Sequence, residues 1–322
     1  MVKVSVVIAA YNAAETLQRA VACCLAQEGV SVEVVIGNDA STDNTEVIAQ
    51  DLCAAHPEVR LVNLAENGGP SAARNAAIDV ATGEWIAVLD ADDTMALDRL
   101  KHMVEVGEAE GADAVYDNLL LKSIATPRSP DRPFLNPATF GTAAKWDLPF
   151  FISHNQARPR QPSLGYLKPL FRSAFIRAHN LRYAPNLRNG EDFHLMLEAL
   201  CRDAALHYTP RVMYHYTTGG ASISNTLNLG HAASLIQETS DFIAKNSQNL
   251  PKGIIATMKV REERLKDFAA AESAMRDLKK KRIGSALSTL GKRPHALFRF
   301  AQQMTASLAK RLKSFRYSRP QT

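Results

Sequence analysis

Residues 85–93 read "WIAVLDADD". Five apolar residues, Trp85 to Leu89, run directly into three carboxylates, Asp90, Asp92 and Asp93. An apolar run with no polar alternation suits a strand covered on both faces, as in parallel sheets. Carboxylates this close repel, and burying one is costly unless a positive charge or a hydrogen-bond donor answers it. The stretch therefore asks two things of the rest of the chain: which sheet the strand joins, and what its acidic end holds.

Working outward, three runs of the same kind precede it: "VKVSVVIAA" (2–10), "VEVVIG" (32–37) and "VRLVNL" (59–64). Helical patterns separate them, the order expected of βαβ units. The spacing predicts an α/β fold with a mostly parallel central sheet and helices on both faces. Asn12 with Glu15, and Asp43 with Glu46, fit capping boxes, and Pro70 fits a first helical turn. Ligands of such open sheets sit beyond the carboxyl ends of the strands. The polar residues expected to converge there are Tyr11 and Asn12, Asn38 and Asp39, residues 67–74, and Asp90 to Asp93.

Further along, residues 126–169 lose periodicity and carry eight prolines, which reads as irregular, functional loop. A helix beginning near Asp192 and an apolar-aromatic strand over 207–216 restore order. Helices are then expected over roughly 231–315.

The 322 residues, 46% hydrophobic, can build a sizeable core. Cys23, Cys24, Cys53 and Cys201 form no C-x-x-C pair, which suits a reducing compartment. Asn12 and Glu15 stand where a signal peptide after Val4–Ala10 would need its cleavage site, and no stretch approaches the roughly 20 apolar residues of a membrane span. A cytoplasmic protein is expected, either free or peripheral on the inner face of the membrane. Residues 250–322 hold 18 Lys/Arg against 5 Asp/Glu, net +13, while the remainder carries 20 against 28, net −8. An acidic body with a basic tail argues against a nucleic-acid reader and suits a tail that meets an anionic surface.

Each constellation carries a chemical reading and a plainer one. Asp90, Asp92 and Asp93 can hold a hard divalent cation while a diphosphate supplies further oxygens, or Asp93 and Thr94 can cap the next helix. Asp39 can accept a nucleobase N–H and Tyr11 can stack on that base, or the two can simply pack and cap. Gly68 and Gly69 before a helix allow close approach to an anion, with Arg74 in that helix's first turns. Glu191 and Asp192 open an amphipathic helix, as dipole partners or as a catalytic base. His215 fits a hydrogen-bonded histidine more often than a ligand.

Taken together, "VSVVIAAYNAAETL" (4–17), "VVIGNDASTDNT" (34–45), "ENGGPSAARNAAI" (66–78), "WIAVLDADD" (85–93) and "NGEDF" (189–193) resemble glycosyltransferase family 2 in order and spacing. The resemblance spans about residues 2–217. It implies the GT-A fold and an inverting transfer of a hexose from a nucleotide-sugar, UDP-glucose or a related UDP-hexose. It implies that Tyr11 and Asp39 hold the uracil, that Arg74 and Asp90 contact the donor, and that Asp92 of the D-x-D motif binds Mg²⁺ or Mn²⁺. It further implies that Asp192 is the base and that Glu191 helps to hold the acceptor; His215 is a candidate late metal ligand. Asn38, where the family commonly has aspartate, is a departure.

Members of this kind build bacterial exopolysaccharide of the succinoglycan type, so a glycan or lipid-linked oligosaccharide acceptor is expected. A polyprenyl phosphate or protein acceptor, or a non-catalytic nucleotide-sugar-binding subunit, are the alternatives. Residues 1–230 are expected to form the catalytic domain, its donor half ending near 120, with 231–322 a basic helical extension. Trp146, Phe150, Phe151, His154, Arg158, Arg160, Tyr166 and Lys168 could offer stacking faces and hydrogen bonds to an acceptor sugar. In the tail, apolar residues from Leu297 to Phe315 recur at helical spacing among arginines and lysines, as in an interfacial helix on anionic lipid.

Overall fold

The computed structural model describes residues 1–123, 130–158, 161–218 and 229–305. Contacts divide the chain into two compact units, Met1–Asn155 with Pro162–Asn225, and Gln156–Gln161 with Thr226–Thr322. The first begins as β1 (Lys3–Ala10), α1 (Leu17–Leu25), β2 (Ser31–Asn38), α2 (Thr45–Ala55), β3 (Val59–Asn63), α3 (Pro70–Val80) and β4 (Trp85–Asp90). It continues as β5 (Thr94–Met95), α4 (Arg99–Ala109), β6 (Ala114–Ser123), β7 (Arg132–Pro133), α5 (Pro137–Phe140), β8 (Ala144–Trp146) and α6 (Leu148–Ser153). After a 3₁₀ turn at Leu164–Tyr166 come β9 (Leu170–Arg172), α7 (Ser173–Ala178), α8 (Glu191–Leu200) and β10 (Leu206–Thr218).

The four apolar runs are therefore β1 to β4, parallel to one another in the order β3-β2-β1-β4. The side chains of β1, β2 and β4 are mostly buried, with Val4, Val6, Val7 and Ile8 of β1 at 0% exposure, while β3 at the sheet's edge buries only Val59. The order reverses between β1 and β4. With right-handed crossovers this sets α3 on the face opposite α1 and α2, and opens a crevice at the carboxyl ends of β1 and β4, where ligands of such sheets bind. Beyond β4, antiparallel β9 joins the first half to a second parallel pair, β6 and β10. Antiparallel β5 then carries the chain from Asp93 back onto β10, pairing Thr94 with His215.

Pro70 does open α3, but the two expected capping boxes are absent. Asn12 adopts a left-handed φ of 49° and its carboxamide accepts from Thr42, while α1 starts five residues later behind Thr16. Asp43 precedes α2 and accepts from the backbone and hydroxyl of Thr45, leaving Glu46 to take Asn63 and Gln50. Asx-type turns compete with helix caps for the same residues. These side chains tie the loops after β1 and β2 to each other instead.

Within 126–169 the described residues form short elements rather than one loop. Trp146 of β8 stacks on Tyr208 of β10 at 4.4 Å, and Phe151 stacks on Phe193 of α8 at 5.6 Å. Both are buried, so neither offers a face to a sugar. Tyr166 is exposed and Phe150 half-buried; Arg160 lies outside the described residues.

The second unit is helical: α9 (Leu229–Asn246), α10 (Lys252–Lys279), α11 (Ile283–Lys292), and helix again over 296–305. Small residues of α10, Ala270, Ala271 and Ala274, pack on Ala286 and Leu290 of α11 and on Ala296. Arg293 is paired with Glu263 and Asp267. Ile283, Leu287, Leu297 and Phe298 stay exposed. The rest of the expected interfacial helix, from 306 on, lies outside the described residues.

Candidate active site

The three carboxylates of "LDADD" meet three different fates. Asp90 Oδ1 accepts from Arg74 Nη2 at 2.6 Å and its Oδ2 faces Lys168 Nζ at 2.9 Å. Those two cations hold its carboxyl far below the usual range, against the pull of burial. Asp93 turns under β10: its Oδ2 accepts from the Tyr214 hydroxyl at 2.8 Å and its Oδ1 from the Thr217 amide at 2.6 Å. The same hydroxyl accepts the Asp90 amide, so Tyr214 locks the strand end in place. Asp93 is 1% exposed, and burial together with Asp90 and Asp92 pushes its carboxyl well up. It anchors this loop rather than capping α4, which begins only behind Asp98.

Asp92 has neither answer. Arg19 donates to its carbonyl oxygen at 2.7 Å, but no cation among the described residues lies within ion-pair distance of its carboxylate. Burial and the neighbouring Asp90 raise its pKa, the state of a carboxylate short of positive charge. Among the described residues no three acidic, histidine or cysteine side chains gather as a ready cage. Mg²⁺ and Mn²⁺ at a diphosphate need no such cage: one or two protein oxygens suffice when phosphates and waters complete the shell. Asp92 fits that part. His215 Nδ1 stands 3.4 Å from Thr94 Oγ1 and 3.5 Å from Lys122 Nζ, and burial and Lys122 lower its pKa, favouring the neutral ring a metal needs.

On the other side of the crevice Tyr11, at the end of β1, is 47% exposed with its ring free to stack. Asp39 is 3% exposed. Its Oδ1 accepts from Gly68 N at 2.7 Å, and its Oδ2 from Gly69 N and Asn67 Nδ2, both at 2.9 Å. The anion that the glycine amides cradle is thus the chain's own carboxylate, so the expected use of those amides for a ligand's phosphate is corrected. Gly69 needs its left-handed φ of 85° to present that amide. Arg188 crosses directly above it, reaching the Asn67 carbonyl at 3.2 Å.

Asp192 and Glu191 open α8 behind Gly190, which turns the chain in at a φ of 79°. Both are buried. Arg74 Nη1 donates to Glu191 Oε1 at 2.6 Å and lies 3.6 Å from Asp192 Oδ1. Lys168 Nζ donates to Asp192 Oδ2 at 2.8 Å. The result is a closed ring, Asp90–Arg74–Asp192–Lys168, with Glu191 attached to Arg74. It joins β4, α3, α8 and the segment before β9. Arg74 is 3% exposed and its two Nη groups are spent on the carboxylates of Glu191 and Asp90. Asp192 Oδ1 is buried with no hydrogen-bond partner, as are Arg74 Nε and the hydroxyls of Tyr116 and Tyr183.

Of the residues expected at the site, the structure brings Arg74, Asp90, Glu191 and Asp192 into one cluster and leaves Tyr11, Asp39 and Asp92 around the crevice. Lys168 is the member whose place differs from the expectation. Expected on an acceptor-facing loop, it is 5% exposed and ion-paired twice. A lysine flanked by "YL" and "PLF" just before a strand carries a faint sign of burial, but no local pattern names its partners.

A mixed sheet whose acidic strand end lies at the switch point, facing carboxylates at the head of a later helix, is the GT-A design of a glycosyltransferase. The chain belongs to glycosyltransferase family 2: the model described as "Glycosyl transferase family 2" matches residues 5–164, and the chain is 36% identical over 308 residues to the succinoglycan biosynthesis protein ExoO of Rhizobium meliloti, covering 95% of this chain and 86% of that one. Among solved structures, Staphylococcus aureus TarS 1–349 in complex with UDP-GlcNAc superposes with a TM-score of 0.60 at 16% identity, over 91% of this chain and 92% of that one. The mannosyltransferase PcManGT of Pyrobaculum calidifontis, in complex with GDP-Man and Mn²⁺, gives 0.58 at 17% identity, over 97% and 82%. Both show the fold.

Proposed function

We propose that this glycosyltransferase inverts configuration as it moves a hexose from a UDP-sugar, UDP-glucose or a close relative, to a lipid-linked glycan of bacterial exopolysaccharide assembly. The observation that carries the reading is the charge ring that ties Asp90, on the donor side, to Asp192 at the head of α8. The likeness to ExoO supports the polysaccharide setting, and the UDP-GlcNAc and GDP-Man complexes of the two structural neighbours support a nucleotide-sugar donor.

In this reading Tyr11 stacks on the uracil and Asp39 accepts its N–H. Asp90 orients the ribose or sugar, held in turn by Arg74. Asp92, with His215 as the second candidate, would hold Mg²⁺ or Mn²⁺. When bound, that ion stabilises the charge on the departing diphosphate. Inversion needs one in-line displacement through an oxocarbenium-like transition state. The acceptor oxygen attacks the anomeric carbon, the bond from that carbon to the phosphate oxygen breaks, and UDP leaves with the electron pair. Asp192 takes the acceptor's proton, and Glu191 steadies the acceptor.

Residues 1–230 are the catalytic part in this proposal, and 231–322 a basic extension. No helix among the described residues is long and apolar enough to cross a membrane. Exposed Ile283, Leu287, Leu297 and Phe298 beside Lys279, Lys280, Lys281 and Arg282 support peripheral docking on the anionic inner leaflet, where a lipid-linked acceptor resides.

The test is UDP release from a panel of UDP-sugars with Mn²⁺ or Mg²⁺ and membrane extract as acceptor. One donor should turn over, stop with EDTA, and fail in Asp192→Asn, which still binds UDP. An Asp192→Asn enzyme as fast as wild type reduces Asp192 to a helix-end charge. Failure of the folded wild-type protein to turn over any donor overturns the donor class.

A further inference from the structure

The cluster contains a cation that the donor, metal and base roles do not use. Lys168 is 5% exposed, and its ammonium donates to Asp192 Oδ2 at 2.8 Å while facing Asp90 Oδ2 at 2.9 Å. An ammonium in a dry interior is expensive, and carboxylates on both sides are what hold it charged. Its backbone is pinned as firmly: the Lys168 carbonyl accepts from Arg99 Nη2 at 2.8 Å, and Arg99 is held by both oxygens of Asp117 at 2.9 Å, the two side chains 0% exposed. Lys168 is thus built into the fold at one end and into the reaction site at the other.

With Arg74 and Lys168 positive and Asp90, Glu191 and Asp192 negative, the cluster carries a formal charge of −1. Removing the lysine raises that to −2 among buried groups, which like charges resist by turning apart or taking up a proton. Either response spoils a base. Both sides of the Asp192 carboxylate are held: the ammonium takes Oδ2 at 2.8 Å, Arg74 Nη1 lies 3.6 Å from Oδ1, and the Tyr183 hydroxyl faces the same carboxylate.

We infer that Lys168 is the positioning residue of the transfer step: by clamping Asp192 Oδ2 to Asp90 Oδ2 it fixes the base relative to the donor-binding carboxylate. The inference rests on Asp192 being the base. The proton leaves the acceptor oxygen as its bond to the anomeric carbon forms, and settles on the Asp192 carboxylate. Lys168 keeps all three of its protons throughout. After transfer the cluster is formally neutral, and the lysine, still paired with Asp90, stays in place.

Lys168→Met keeps the aliphatic stem and removes the charge. The measurement is kcat and donor KM with the UDP-sugar that wild type turns over, together with UDP affinity. Expected is a fall in kcat on the order of 10²-fold, the cost of misplacing a reacting group by about 1 Å, with UDP affinity retained. The Lys168→Arg variant should recover part of that rate. In the Asp192→Asn background the Lys168→Met change should slow the enzyme no further, since both act on one step. Wild-type kcat in Lys168→Met, or losses that multiply with those of Asp192→Asn, overturns the inference while leaving the base reading intact. A fully active Asp192→Asn removes the base reading, and this inference with it. Should Lys168→Met not fold, Lys168→Gln takes its place, and equal loss of kcat in the Arg and Gln variants counts against the proposal.

Discussion

The first unit contains two buried ion clusters of similar residue types and opposite character. Arg99 and Asp117 face each other through two hydrogen bonds of 2.9 Å, both at 0% exposure, with two further guanidinium hydrogens directed to the Lys168 carbonyl and Met95 sulfur. One charge meets one charge and the polar atoms are used. Earlier in the chain, Arg74 and Asp90 belong to a cluster with three carboxylates for two cations, and with Asp192 Oδ1, Arg74 Nε and two tyrosine hydroxyls left without a well-formed hydrogen bond. Buried polar groups are nearly always satisfied, so leftover atoms and leftover charge need a reason. A closed pair is what packing alone selects; an open one is what a site with a substrate to receive looks like.

Arg74→Met is the sharpest way to break that comparison. It removes the cation shared by Asp90, Glu191 and Asp192, and kcat/KM for the donor should fall by 10² to 10⁴, the range of a lost acid–base contribution. Stability should fall too, and UDP release beside a thermal melt separates the two. If the folded variant keeps its rate, this cluster is as structural as the other.

Asp117→Asn is the converse. Leaving Arg99 buried without its counter-charge should cost about 3–5 kcal/mol of unfolding free energy, read by urea denaturation. The part that remains folded should retain its donor KM. A KM change of tenfold or more at full folding would mean that the closed pair also serves the site, through the Lys168 backbone.

How far the sequence foretells this contrast depends on range. The four apolar runs are legible because each strand satisfies its pattern locally, and "WIAVLDADD" puts its carboxylates where the strand must end. Pro70 at the head of α3 is legible for the same reason. The capping boxes mislead because Asn12 and Asp43 bond to each other's loops across 30 positions, a contact no local motif reports. Strand β6 does not stand out as an apolar run, because Asp117 and Asn118 interrupt "AVYDNLLL", and only the fold shows Asp117 to be neutralised by Arg99. The ring is least legible of all. Its members lie at 74, 90, 168, 191 and 192, and the family motifs mark every position except 168.

A smaller effect is expected at Tyr11, which borders the open cluster's crevice without sharing its charges. Tyr11→Ala should weaken UDP binding by about 1–3 kcal/mol, the contribution of one stacked base, and leave the unfolding curve unchanged because the ring is half exposed. Calorimetric titration with UDP measures it. Equal binding in the variant would move the nucleobase off the end of β1.

The smallest effect comes from a third carboxylate, at the other end of the sheet, and it tests the rule behind the comparison. Glu33, near the start of β2, accepts from Ser5, from the Thr82 amide and from the Thr82 hydroxyl, with Lys3 at 3.6 Å and Arg60 at 3.4 Å. Burial pushes its carboxyl up, but these donors and cations outweigh it and bring the pKa down to about 2. A carboxyl whose pKa is depressed on folding contributes stability that is present above its unfolded value, near 4.5, and is lost as pH falls toward 2. Lys3 and Arg60 are 41% and 45% exposed, so screening trims the contribution to about 1 kcal/mol at neutral pH. Glu33→Gln should therefore flatten the acid side of the stability curve between pH 4.5 and 2 and leave transfer unaffected. A satisfied carboxylate far from the crevice should matter to pH and not to catalysis; if Glu33→Gln slows UDP release in a fully folded protein, satisfaction of hydrogen bonds is no guide to which acids of this sheet work.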